Sequence, residues 1–514
     1  MKSNLTRREF LKSAGAISII PLLNRINANK LAGNSLSSEQ PNIIFILFDA
    51  LSAFHLSLYG YQRETSPNLE RFARRSIVYH NHHSASNHTI HSTSSLLTGT
   101  YPWTHRTLSS KSPYLEETKR NNIFNLLGDK FFQTAFTQNI NADKILYKLD
   151  RYLDQHAQHD SFSLIGNSLY DTFSGETALN ALSGLDNFLF DRDVVHGSLF
   201  LSILNDLNTR IGLKNNSKEL KGMYPYGIPK LAMSNVYFLL SEVTDGVADM
   251  LGKLNSPHFS YIHFMPPHAG YQPTSEFMDM FDDGWAPAPK DKHPLGKKIK
   301  DKQLNKLRHR YDAFVSNVDY EFGRLIDQLE ISGLLENSYV IFTSDHGELF
   351  ERGTRGHVTK LLFEPLIHIP LLISSPGQRE RVDIHELTSN VDILPTLAHI
   401  SNIQKPDWAV GEILPGLGGA HNPDRNVWSL IGWFMGGGQQ SEIERVSLAL
   451  NKGEYKLVKY HGYGSAKNRY EFYDLRNDPE ELDNQYKSNP IAKEMRAELD
   501  QKFEEIKSPI EKLV

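Results

Sequence analysis

The sequence predicts an α/β fold: a mostly parallel central sheet with helices on both faces, followed by a smaller C-terminal α+β subdomain. Three observations predict it. Strand-length runs that are apolar on both faces alternate with helical segments. Several of those runs end in an acid or a histidine. After about residue 400 the texture changes to short strands and turns.

The elements follow in order. "NIIFILFDA" (Asn42–Ala50) is a continuous apolar run ending in an acid. A run apolar on both faces fits a strand buried in a parallel sheet. "NIFNLLGDK" (Asn122–Lys130) reads as a helix. Residues 150–235 are rich in Asp, Ser, Asn and Leu, have weak strand signals, and read as a largely helical insertion. "HFSYIHFMPPH" (His258–His268) repeats the strand pattern and ends at His268. Leu304–Gly333 has helical spacing and stops at glycine. "SYVIFTSDHGE" (Ser338–Glu348) is a strand leading into Asp-His-Gly, and "IHIPLLISSPG" (Ile367–Gly377) is a fourth strand closing on a Pro-Gly turn. Strand and helix in alternation imply helices on both faces of the sheet. Polar groups at the carboxyl ends of several strands mark the expected active face. The catalytic unit is expected over 40–400 and the subdomain over 401–514, closing with a charged helix from about Pro490.

At 514 residues the chain is long enough for a large core and more than one structural unit. A formal net charge of -5 offers no basic surface for nucleic acid, and none is expected as a partner. The chain has no cysteine. That excludes disulfides, thiolate ligands and a thiol nucleophile, so a metal must be held by His, carboxylate or hydroxyl. "TRREFLK" (Thr6–Lys12) precedes the apolar "SAGAISIIPLL" (Ser13–Leu23), and "INA" (Ile26–Ala28) follows. This resembles a twin-arginine export signal over residues 1–28. The apolar run is too short to span a membrane, and no later segment reaches ~20 apolar residues. A periplasmic or secreted mature protein without a transmembrane segment is expected.

Asp49, His268, Asp345, His346 and His357 follow strands or sit in glycine-rich turns on the expected active face. Singly, each has an ordinary explanation: an Asp after a strand is often a helix N-cap. Together with longer stretches they carry a resemblance. "PNIIFILFDALSAFHLSLYGY" (Pro41–Tyr61), "TSPNLERFARRSIVYHNHHSAS" (Thr65–Ser86), "SLLTGTYP" (Ser95–Pro102), Phe342–Gly377, "VDILPTL" (Val391–Leu397) and "YDLRNDPEELDNQ" (Tyr473–Gln485) occur in the order typical of sulfatases. The chain thus resembles the sulfatase branch of the alkaline-phosphatase-like superfamily over nearly all the mature sequence.

The resemblance places Thr89 at the nucleophile position, counting back from "SLLTG". Typical sulfatases carry cysteine or serine there, in a C/S-x-P-x-R pattern, and convert it to formylglycine. Here His91 stands for the proline and Thr93 for the arginine. Threonine cannot yield that aldehyde. Thr89 instead resembles the nucleophile of the phosphodiesterase and phosphotransferase branches. A free hydroxyl is a poor nucleophile at neutral pH, and a dication lowers its pKa. A helix starting just after Thr89 would offer free amides to a phosphoryl oxygen. Ser86 and Ser92 are competing hydroxyls that the register disfavours.

By the same resemblance Asp49, Thr89, Asp345 and His346 form one metal site. Ala50 stands where a second Asp is common, and His346 where Asn is frequent. Fewer carboxylates and an imidazole favour zinc or manganese over calcium. A second metal is not expected. His268 corresponds to a histidine that protonates the leaving group, and His357 to a group near the transferred oxygens. Gln138 and Asn139 stand near the place of a lysine and histidine used by sulfatases and are limited to hydrogen bonding. Of the further histidines, His80, His82, His83, His88 and His91, most are expected at strand ends or on the surface, with His88 and His91 beside Thr89. The expected function is an exported metal-dependent hydrolase that cleaves or transfers a phosphoester group. Its substrate would be a small phosphoester or sulfate ester, a glycan or a lipid headgroup. Two alternatives stay open: a sulfate-ester hydrolase without formylglycine, and a degenerate member that binds an anionic glycan or headgroup.

Overall fold

Strand β1 (Asn42–Phe48) is buried along its whole length. Ile44, Ile46 and Phe48 join one core layer, while Ile43, Phe45 and Leu47 join the other. Successive strand side chains point to opposite faces, so both faces of an all-apolar strand must be covered. The computed structural model describes residues 40–107, 116–165, 217–232, 236–434, 443–464 and 469–507, with scattered positions between 207 and 234. The predicted export signal lies outside the described residues.

The elements in chain order are β1, α1 (Pro67–Ala73), β2 (Ile77–His83), α2 (Thr89–Thr98), β3 (Phe132–Thr137), α3 (Ile140–Leu149) and β4 (Gln155–Ala157). There follow α4 (Leu240–Gly252), β5 (His258–Phe264), α5 (Asp301–Ile331), β6 (Ser338–Thr343), β7 (Leu371–Ser374), β8 (Val382–Ser389) and α6 (Ile393–Ile400). Eight strands form one sheet in the order β8-β2-β7-β6-β1-β5-β3-β4. All pairings are parallel except those of β7, which runs against β2 and β6. Helices α1, α4 and α5 cover one face, and α2, α3 and α6 the other. The predicted mostly parallel sheet with helices on both faces is therefore present.

Two sequence expectations change. The strand expected over Ile367–Gly377 is only Leu371–Ser374. Pro365 opens a short helix over Glu364–Ile367 instead, and Pro370 has no N–H to offer a ladder. Strand β4 pairs with β3 at the sheet edge, so the sheet continues past residue 150. The predicted helical insertion contains the helix Ser217–Met223, but most of it lies outside the described residues.

The C-terminal part is an antiparallel sheet, β9 (Asn426–Phe434), β10 (Ile443–Lys452), β11 (Tyr455–His461) and β12 (Arg469–Asp474), in sequential order. Helix α7 (Ile491–Lys507) buries Met495, Leu499 and Phe503 against one face. The other face receives Leu361, Phe363 and Leu366 from the segment after β6. Buried Lys456 ties the two parts together: its Nζ lies 2.8 Å from both Glu364 and Glu481. Among the described residues no helix is long and apolar enough to cross a membrane.

Candidate active site

The site is built where β1 and β6, neighbours in the sheet, end side by side. Asp49 follows β1 and Asp345 follows β6, and both are fully buried. Ala50 takes a left-handed backbone, φ 60°, and its N–H donates to Asp345 Oδ1 at 3.1 Å. The His346 amide donates to the same oxygen at 2.9 Å. Asp345 Oδ2 and Asp49 Oδ1 accept no hydrogen bond. Gly347 must be glycine: a Cβ there would lie 2.1 Å from the Pro365 carbonyl oxygen.

His346 Nδ1 donates to the Gly347 carbonyl at 2.9 Å, which leaves the lone pair on Nε2. Nε2 lies 3.2 Å from Thr89 Oγ1, 3.3 Å from Asp345 Oδ2 and 3.8 Å from Asp49 Oδ1. Thr89 is the first residue of α2, where the opening amides lack intrahelical acceptors and the helix dipole is positive. The Ser92 hydroxyl donates to the Asp345 carbonyl at 2.6 Å, and Ser84 does so at 2.5 Å. These hydroxyls tie α2 and the loop before it to the turn after β6. Of Ser86, Thr89 and Ser92, Thr89 is the one that meets His346.

Electrostatics point the same way. Burial, with the Asp345 carboxylate beside it, pushes Asp49 up to about 7. Burial holds His346 down to about 4 and His357 to about 3, so both are neutral near pH 7. Two crowded carboxylates with unused oxygens, a threonine hydroxyl and an imidazole lone pair are a donor set that a dication completes. His263 extends this set: ligand atoms of Asp49, His263 and Asp345 all lie within 4.8 Å of one another.

The other predicted residues gather here too. His268 follows β5, and its ring centroid is 4.8 Å from that of His357, which is 4.3 Å from that of His346. Burial lowers His268, opposed by Asp49. Asn139 caps α3 and its amide donates to Asp49 Oδ2 at 2.5 Å, while Gln138 accepts from the Met265 amide. His82 and His83 stand at the end of β2, one of the two places expected, and are buried there because β2 lies inside the sheet; His91, expected beside Thr89, is buried two residues on in α2. His82 is held by Thr388 and His83 by Glu364.

Two residues were not among the sequence-predicted set, His263 and Glu348. His263 lies within the apolar run of β5, 3.2 Å from Asp49 Oδ2. Its signal is a polar side chain at a strand position paired with Leu47, beside the acid. Asn139, expected to act by hydrogen bonding, does so after β3 at the same end of the sheet. Glu348 reaches the site only through a hairpin, which the sequence does not announce.

The sequence profile described as Sulfatase matches residues 41–403, and that described as N-sulphoglucosamine sulphohydrolase, C-terminal, matches residues 353–509. Arylsulfatase K from Bos taurus is 29% identical over 211 residues, and the match spans 41% of this chain but only 38% of that protein's length. Choline-sulfatase from Rhizobium meliloti is 22% identical over 91% of this chain and 85% of that protein. The crystal structure of phosphonate monoester hydrolase from Agrobacterium radiobacter superposes with a TM-score of 0.64 at 18% identity, covering 91% of this chain and 95% of that one. The sheet, the carboxylates at its edge and the match over 41–403 agree: the chain belongs to the sulfatase family.

Proposed function

We propose that the protein is an exported, metal-dependent hydrolase that cleaves or transfers a phosphoester group through Thr89. The carrying observation is the 3.2 Å approach of Thr89 Oγ1 to His346 Nε2, beside Asp49 and Asp345. Asp49, Thr89, Asp345 and His346 would hold one dication, with His263 bordering the set. When bound, the ion supplies positive charge that lowers the hydroxyl pKa and offsets charge on the transferred group.

Thr89 reacts in its deprotonated form. Its Oγ1 bonds to phosphorus as the bond to the leaving oxygen breaks. His268 donates a proton to that oxygen; burial disfavours its protonated form, and the carboxylates of Asp49 and Glu348 oppose that. The α2 amides face the developing charge on the phosphoryl oxygens. Water or an acceptor alcohol then takes the group from Thr89. A small phosphoester, a glycan ester or a lipid headgroup fits this chemistry.

A second reading is sulfate-ester hydrolysis without formylglycine. The family profile and the sulfatases among the relatives favour it. Rates on p-nitrophenyl phosphate, bis(p-nitrophenyl) phosphate and p-nitrophenyl sulfate separate the two. Turnover of a phosphorus ester well above that of the sulfate supports the first reading. Sulfate turnover with no phosphoesterase activity overturns it.

A further inference from the structure

Strands β1 and β3 flank β5 in the sheet. Just past their ends the Asp49 amide donates to the Phe264 carbonyl and the Gln138 amide to the His263 carbonyl, each at 2.9 Å. Backbones two strands apart in a sheet are separated by about 10 Å. Side chains have to bridge that gap over the end of β5, and Asn139 and Asp49 do so. The Asn139 Nδ2 donates to Asp49 Oδ2 at 2.5 Å, and both residues are buried.

The Asn139 amide is oriented from its other end. Its Oδ1 accepts from the Asn141 amide at 2.8 Å and from the Ala142 amide at 3.3 Å, capping α3. Its own backbone N–H donates to Thr137 Oγ1 at 3.1 Å. With the oxygen committed to the helix start, the NH2 group is the end that faces Asp49. A flipped amide would set oxygen against carboxylate and leave α3 uncapped. The bond engages one carboxylate oxygen and leaves the other. Asp49 Oδ2 is taken by Asn139, with His263 Nε2 also 3.2 Å from it. Asp49 Oδ1 is buried with no hydrogen-bond partner among the described residues and lies 3.8 Å from His346 Nε2.

We propose that Asn139 is a positioning residue for the metal site: it holds Asp49 by Oδ2 and so presents Oδ1 to the dication. This rests on the reading of Asp49 and Asp345 as metal ligands. A carboxylate free to turn about its Cβ–Cγ bond exchanges its two oxygens and loses that freedom on ligation. One already pinned by Oδ2 is ordered when the protein folds, so binding the ion costs less. The side chain that starts α3 thus also aims a ligand, and one amide serves a helix cap and a metal site together.

The test is calorimetric titration of zinc and of manganese into chelator-stripped wild type, Asn139→Ser and Asn139→Ala, with thermal unfolding of the same metal-free samples. A serine hydroxyl caps a helix but offers nothing that reaches Asp49, and alanine does neither. Both variants are expected to weaken the preferred ion about 10- to 100-fold, whereas only Asn139→Ala lowers the metal-free Tm. Wild-type metal affinity in Asn139→Ser overturns the proposal and leaves Asn139 as a helix cap alone. A separate readout needs no variant: crystals of the metal-loaded wild type are expected to show Asp49 Oδ1 on the ion with Oδ2 still on Asn139. Oδ2 on the ion, or a broken bond to Asn139, overturns the proposal. Wild type that binds neither ion overturns the metal reading itself, and the proposal falls with it.

Discussion

His346 Nε2 lies 3.2 Å from Thr89 Oγ1, with the buried carboxylates of Asp345 and Asp49 at 3.3 and 3.8 Å from the same nitrogen. Because Nδ1 is committed to the Gly347 carbonyl, Nε2 faces them with a lone pair. A hydroxyl, two carboxylates and a lone pair converge, and among the described residues no lysine or arginine pairs with them. Such a cluster favours a cation and disfavours its own charge.

The contribution of Asp49 to the stability of the metal-free protein is therefore expected to be lost as pH rises from about 4 to about 7. Asp49 is raised to about 7 by burial, above its unfolded value near 3.8. The folded state holds the proton more tightly, so its contribution is present below the unfolded pKa and lost as pH rises through the folded one. A bound dication reverses this, since the carboxylate must be ionised to ligate. Differential scanning calorimetry should show zinc or manganese raising Tm more at pH 8 than at pH 5. An equal gain at both values would contradict the assignment.

Metal preference follows from the donor set. Chelator-stripped protein titrated by calorimetry should bind zinc or manganese more tightly than calcium, and His346→Ala should weaken zinc about 10-fold or more. Tighter calcium binding would count against the imidazole as a ligand.

A second pH dependence is expected away from the site. Asp143, on α3, hydrogen-bonds His156 and His159, each at 2.8 Å. Although burial alone would lower it, bonding to Asp143 and Asp150 raises His156 to about 9. Its stabilisation is full below its unfolded pKa near 6.5 and is lost as pH rises through about 9. Thermal unfolding followed from pH 6 to 10 should show that loss, and Asp143→Asn should flatten it. Unchanged slopes in the variant would sink this account.

The C-terminal sheet is held to the catalytic part by Lys456 between Glu364 and Glu481. Lys456→Ala leaves two buried acids without their cation and should cost about 3–5 kcal/mol in urea unfolding. The exposed pair Lys253–Asp249 is the control, and Lys253→Ala should leave the midpoint unchanged.

Much of the fold was legible because apolar runs such as Ile43–Phe48 admit one solution, a strand covered on both faces. Asp49, Asp345 and His346 were legible because each ends such a run. The antiparallel β7 was not, since direction is set by where the chain returns and not by the composition of Leu371–Ser374. His263 was hidden inside an apolar strand. Glu348 was hidden because only the 350–355 hairpin turns it toward His357. The buried state of His82 and His83 depends on β2 being internal, a property of sheet order.

The central claim is that Thr89 carries the transferred group. Intact mass and peptide mapping of metal-loaded enzyme, quenched during turnover of bis(p-nitrophenyl) phosphate, test it most directly. The account predicts a phosphoryl adduct on Thr89, with Thr89→Ala folded, metal-binding and reduced in kcat/KM by about 10³-fold or more. A Thr89→Ala variant that turns over at the wild-type rate, or an adduct on another residue, would contradict it.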